Sequence, residues 1–376
     1  NKFLYRESPN PGLNEIGYEH SGIIANRNLD EWKINRQFFV KTLMSKTFLR
    51  NITEKTYRTA LDMFKLWDIL INDQREINLS EWFTRHAPGV NYFNNMLINR
   101  IKELDVFLHE IIQERCVEID SLPKDALLPS DFLTLLLTAK TSRCSENALY
   151  KSLSRSLNNY QIFGIIKDIF LGSFETTATV MCSVIYFLCK YPSVKSKALS
   201  EIDLIFGHST APLNLHYEDV EKLQYCDALI KEVLRIKSTF PVLTRSNSEP
   251  VEVGGYLWKE EQSFFLNYEG INLNENDWID SKTFDPDRFL KDDGSKRSMN
   301  AKVANAKGAF SAFGGGAKSC PGRLWAIIEI KVILVAVLMR YEIEFVNKDQ
   351  ELDMFCDVSY HWRELKVRLK PKKQKE

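Results

Sequence analysis

The chain has 376 residues, 44% of them hydrophobic, which is enough to bury a large core. Fifty lysines and arginines balance fifty aspartates and glutamates, and a net charge of zero argues against nucleic acid or an anionic membrane surface as the main partner. Seven scattered cysteines, an odd number with no C-x-x-C pair, exclude a disulfide framework and a zinc site.

The start, Asn1-Lys-Phe-Leu-Tyr5, has no initiator methionine, signal sequence or apolar anchor, so the chain is expected to be a fragment or processed form. Apolar and basic residues at helical spacing predict a helix from Trp32 to Phe48, and a period near 3.6 predicts another from Glu103 to Glu118. Asp131 is a candidate N-cap for the apolar run that follows it. Phe163 to Lys190 reads as one long helix stopped by Tyr191-Pro192. Its charges, Lys167, Asp168 and Glu175, favour a buried core helix over a membrane span. Helices at Ser193–Phe206 and Tyr225–Lys237 complete the series.

After Pro241 the texture changes. Val251–Trp258 and Gln262–Leu266 predict short strands around a glycine turn, and Lys291–Lys307 a polar loop. Leu324–Arg340 predicts an apolar helix, with strands at Tyr341–Val346 and Glu364–Leu369. The expected fold is mainly α with small β-sheets, one domain over residues 1–376.

The segment Phe313-Gly-Gly-Gly-Ala-Lys-Ser-Cys320-Pro-Gly322 carries the most chemistry. Three glycines permit positive φ and close approach to whatever the sulfur touches. Cys320 is expected at the start of the Leu324 helix with Pro321 in the first turn, where the helix N-terminus favours thiolate over thiol. The segment resembles the haem-binding loop of the cytochrome P450 superfamily, F-G-x-G-x-R/H-x-C-x-G. Phe313, Gly314, Gly316, Cys320 and Gly322 match it, and Lys318 stands where the family has arginine or histidine.

Five further patterns resemble family segments. Glu232-Val-Leu-Arg235 matches E-x-x-R, and Asp285-Pro-Asp-Arg288-Phe289 resembles the segment whose arginine completes a buried triad. Gly172-Ser-Phe-Glu175-Thr176-Thr177 resembles the acid–threonine motif, and Trp32-Lys-Ile-Asn-Arg36 matches W-x-x-x-R. Pro241-Val-Leu-Thr-Arg245 resembles the segment after the E-x-x-R helix.

The resemblance implies a P450 fold, amino-terminally truncated, that encloses haem b. Cys320 would be the axial iron ligand, with Trp32, Arg36, Arg245 and Lys318 toward the propionates and Phe313, Gly314, Gly316 and Gly322 framing the loop. Glu175 and Thr176 would relay protons to oxygen, while Glu232, Arg235 and Arg288 would be structural. The implied reaction is monooxygenation of an apolar small molecule by O2, with electrons from NADPH through a reductase. The alternatives are isomerisation or dehydration of a peroxide, or a haem-binding remnant without turnover. The resemblance also implies that a full-length form is anchored to the endoplasmic reticulum membrane, facing the cytosol. The six histidines show no metal-like spacing and receive no role.

Overall fold

The computed structural model describes residue 3 and residues 21–72, 76–85, 95–129, 131–138, 157–207, 215–290 and 309–372. The loop expected at Lys291–Lys307 lies outside these residues.

Helix α1 is Leu29–Leu43, opened by the Asn28 side chain accepting from Glu31 N. The predicted helix to Phe48 breaks at Met44, and α2 runs through Lys46–Asn72. Ser45 marks the break: its hydroxyl accepts from Phe48 N at 3.2 Å, as an N-cap does. Then come strand β1 (Ile77–Asn78), α3 (Leu79–Arg85), α4 (Asn95–Ser121) and α5 (Phe132–Thr138). The Asp131 carboxylate accepts from Thr134 N at 2.9 Å at the start of α5, as its sequence position suggests.

Helix α6, Asn159–Lys190, is the spine. Asn158 and Gln161 form a reciprocal capping box at its start, and Pro192 ends it by opening α7, Pro192–Phe206. By length and composition α6 could cross a membrane, but here its two ends lie in two apolar clusters of the protein. The apolar residues from Val180 to Leu188 pack in the larger cluster, and Ile162, Ile165 and Ile166 in the smaller one with Trp32, Phe38 and Leu108. Its buried charges are answered. Lys167 Nζ lies 2.8 Å from Asp105, and the Asp168 carboxylate accepts from the backbone of Ile23 and Ile24.

The rest is α8 (Tyr217–Lys222), α9 (Gln224–Ile236), β2 (Val242–Ser246), β3 (Val251–Val253), β4 (Tyr256–Trp258), β5 (Ser263–Asn267) and α10 (Tyr268–Asn272). After a 3-10 turn at Pro286–Phe289 come α11 (Arg323–Arg340), β6 (Tyr341–Phe345), β7 (Met354–Cys356), β8 (Tyr360–Trp362) and β9 (Lys366–Pro371). The sheets are small: β1-β9-β6, and the pairs β2-β5, β3-β4 and β7-β8, all antiparallel. The Gly254–Gly255 turn between β3 and β4 uses positive φ at both residues, which explains the glycine pair.

Candidate active site

The cysteine loop is held from behind by α10. Asn272 is fully buried, and its Oδ1 accepts from both the backbone N–H and the hydroxyl of Ser311, at 2.9 and 3.1 Å. Gly314 N donates to Ser311 O at 2.8 Å, and Cys320 N to Phe313 O at 2.8 Å, closing the loop on itself. Gly314 and Gly316 have φ of +70° and +67°, a region in which other residues are strained. A side chain at Gly314 would also come within 3.4 Å of the Tyr268 hydroxyl. Phe313 anchors the loop in the large core, with the Arg323 guanidinium over its ring.

Cys320 is exposed. Helix α11 begins only at Arg323 with Gly322 as its N-cap, so Pro321 lies ahead of the cap and not in the first turn as expected. The reason is local: Cys320 N is committed to Phe313 O and Ser319 has ψ of 155°, so helical bonding starts after the loop has closed. The sulfur still stands beside a helix N-terminus.

Arg36 and Lys318 both stand at the loop. Arg36 Nη2 donates to Ser319 O at 2.7 Å, tying α1 to the loop. Lys318 is buried, with Nζ 4.2 Å from the centre of the Trp32 ring. Trp32 Nε1 donates to Ile23 O at 3.0 Å, and the indole face is a platform for Lys318. Arg245 is buried on β2, with Nη1 donating to Thr244 O at 2.8 Å.

The mid-portion of α6, residues 169–177, is partly or fully accessible although the helix is buried on both sides of it. Phe170, one turn before Glu175, packs on the same cluster as Ala317 of the cysteine loop, so helix and loop border one region. Thr176 Oγ1 donates back to Gly172 O at 2.8 Å. The Glu175 carboxylate is turned to His361, with Oε1 and Nδ1 2.7 Å apart. Sequence reasoning gave His361 no role. A lone histidine 186 positions away leaves no local pattern to find.

The structural trio is joined directly. Glu232 accepts from Arg235 Nε and Nη2 at 2.7 and 2.8 Å, from Arg288 Nε at 3.0 Å and from Asp285 N at 2.9 Å. Glu232 and Arg235 are 0% exposed. The net positive charge is spread onto carbonyls: Arg235 Nη1 donates to Asn272 O and Ser281 O, Arg288 Nη1 to Ile279 O, and both arginines to Thr283 O. Through Asn272 the network reaches Ser311 and the base of the cysteine loop.

The family model for cytochrome P450 matches residues 86–371. The chain belongs to the cytochrome P450 family. It is 29% identical over 268 residues to the steroid 17-alpha-hydroxylase/17,20 lyase of Mesocricetus auratus, covering 70% of this chain and 50% of that protein. It is likewise 29% identical over 307 residues to cytochrome P450 4V2 of Rattus norvegicus, covering 78% of this chain and 50% of that one. The chain thus spans about half the length of these relatives. The crystal structure of a cytochrome P450, CYP102L1, superposes with a TM-score of 0.77 at 19% identity, over 98% of this chain and 85% of that one, and shows the same fold.

The P450 family implies a haem, and the residues present fit one. The exposed Cys320 would offer a soft sulfur to a haem iron. Gly315 and Gly316 have nothing within 4 Å of where a Cβ would stand, so a flat group can approach the loop backbone. Arg36 and Lys318 supply positive charge beside the same loop for carboxylates.

Proposed function

We propose that this P450 chain is the catalytic part of a haem-thiolate monooxygenase that inserts one atom of O2 into an apolar organic substrate. The observation that carries the reading is the exposed cysteine on a glycine loop, bordering the accessible middle of a helix that bears Glu175 and Thr176. When bound, haem supplies oxygen activation, and a thiolate ligand favours O–O cleavage.

The chain's own residues do the rest. The loop holds the Cys320 sulfur beside the α11 N-terminus, where the helix dipole favours the anion. Arg36 fixes Ser319 and hence the orientation of its neighbour Cys320. The Thr176 hydroxyl, oriented by Gly172 O, can pass a proton while keeping its partner, and Glu175 is the adjacent acid. Phe170 and Phe174, whose rings touch, add apolar surface to the same accessible stretch of α6, suited to an apolar substrate.

Electrons come from NADPH through a separate reductase, and the full-length protein works at the cytosolic face of the endoplasmic reticulum membrane. The test is the reduced carbon-monoxide difference spectrum after haem supplementation, with Cys320→Ala as control. A red-shifted thiolate-type Soret band, lost in the variant, is expected. A band of the neutral-ligand type, or none, in the parent chain refutes the ligand assignment.

A further inference from the structure

The hairpin β7-β8 lies against α6 and closes on Glu175 with a second carboxylate behind it. His361 uses both ring nitrogens: Nδ1 is 2.7 Å from Glu175 Oε1, and Nε2 is 2.9 Å from Asp357 Oδ1 and 3.0 Å from Ser359 Oγ. An imidazole between two carboxylates satisfies both only as the doubly protonated cation. Burial alone would lower its pKa, but hydrogen bonds and charge from Glu175 and then Asp357 outweigh this and raise it. The ring is fixed by stacking on Phe355 at 5.1 Å. Asp357 is fixed too, accepting from the backbone N–H of Val358 and Ser359. Burial pushes its carboxyl upward, yet these amides and His361 prevail and hold it below the ordinary range.

Asp357 is at the surface, His361 is mostly covered, and Glu175 is half-buried on the accessible middle of α6. The charged groups facing His361 are Glu175 from α6 and Asp357 from its own turn. Lys237 and Glu269 pair with each other beside Tyr360 on the same hairpin.

We infer that His361 is a positioning residue that holds Glu175 and replenishes its proton, with Asp357 fixing the imidazole from the outer side. The inference rests on the reading of Glu175 as the acid of the active site. The step balances without redox change. The Nδ1 proton passes to the Glu175 carboxylate, leaving neutral imidazole with its Nε2–H on Asp357. Glu175 gives that proton to the site and is again a carboxylate, and a hydronium ion from bulk solvent returns one proton to Nδ1, restoring the cation. The supply is open while His361 is cationic and closes as pH rises.

The test has two readouts on the haem-reconstituted protein. First, NMR of 15N-labelled histidines follows His361 against pH. Its titration is expected above the ordinary histidine value of about 6.5 and is expected to fall in Glu175→Gln and in Asp357→Asn. Second, NADPH consumption with an added NADPH-dependent reductase is expected to decline as pH rises above about 6.5. His361→Gln is expected to slow it about tenfold and flatten that profile, at the low end of what a proton-transfer group contributes. Asp357→Asn, changed at the exposed turn, moves the profile toward lower pH and serves if His361→Gln folds poorly. Dye oxidation driven by cumene hydroperoxide, which bypasses reductive proton delivery, is expected to be unchanged in His361→Gln and Asp357→Asn. A His361 titration unaffected by Glu175→Gln overturns the inference. So does a wild-type rate and profile in His361→Gln while Glu175→Gln is slow, in which case the reading of Glu175 survives. If Glu175→Gln also keeps the wild-type rate, that reading fails and takes the inference with it.

Discussion

Removing Arg288 and removing Glu232 should destabilise the protein by clearly different amounts, because the trio shares its charge unequally. Arg288→Ala deletes three bonds, to Glu232, Ile279 O and Thr283 O. Glu232 keeps both bonds from Arg235 and one from Asp285 N, and Thr283 O keeps Arg235. Only Ile279 O is left without its guanidinium, and a charge-assisted bond is lost, which together cost about 2–3 kcal/mol. Glu232→Ala instead leaves two buried guanidiniums facing each other without their shared carboxylate. Breaking a buried pair in this way costs about 3–5 kcal/mol, a large share of a typical total stability of about 5–15 kcal/mol. The assay is urea unfolding followed by tryptophan fluorescence, since the Trp278 ring lies 5.1 Å from the Arg235 guanidinium and reports on the trio directly. With a slope of about 3 kcal/mol per molar urea, Arg288→Ala should lower the midpoint by about 1 M. Glu232→Ala should lower it further or fail to accumulate as folded protein. Equal midpoints for the two variants, or an Arg288→Ala midpoint within about 0.2 M of the parent, would refute the partition.

Two further outcomes are expected. Asn272→Ala removes the acceptor for Ser311 N and Oγ, so hydrogen exchange across residues 311–322 should quicken by tenfold or more, about 1.4 kcal/mol or above, while α9 is unaffected; unchanged exchange of the Cys320 amide would show that the loop needs no such brace. Burial lifts the Glu329 carboxyl on α11 from 4.5 to about 7, so its folded pKa exceeds its unfolded one. The contribution is therefore fully present below about pH 4.5 and lost as pH rises to 7, and Glu329→Gln should raise stability at pH 8 by about 2–3 kcal/mol with little effect at pH 4. Urea midpoints at the two pH values check this, and equal gains at both would contradict it.

What was legible in the sequence had a local cause. Gly314 and Gly316 are glycines because their φ is positive, and Glu232 and Arg235 face one way because they are one helical turn apart. The stop at Tyr191-Pro192 and the pairing of Tyr341–Phe345 with the last strand follow in the same manner from proline chemistry and alternation. The first helix was read across its break because apolar residues continue through Ser45 at helical spacing, so only the capping serine marked the boundary. Helix α2 beyond it had a readable stripe, with Leu49, Thr53, Tyr57, Ala60, Phe64 and Trp67 buried on one face.

The positions that escaped are those whose partner is far along the chain. Trp32 and Arg36 share a helix face by spacing, but whether the indole donates outward depends on Ile23 O, and its role as a platform depends on Lys318. That pair gives a physical reason for lysine at this place in the loop. A lysine cannot make the planar two-pronged contact of arginine, but its compact ammonium can sit over an indole face while burying its stem. The Glu175–His361–Asp357 chain has the same character. It exists only because the β7-β8 hairpin folds onto the middle of α6, where Trp362 Nε1 donates to Ser183 Oγ at 3.0 Å two turns beyond Glu175. A family motif can therefore name the acid, whereas the group that holds it is set by this chain's own hairpin.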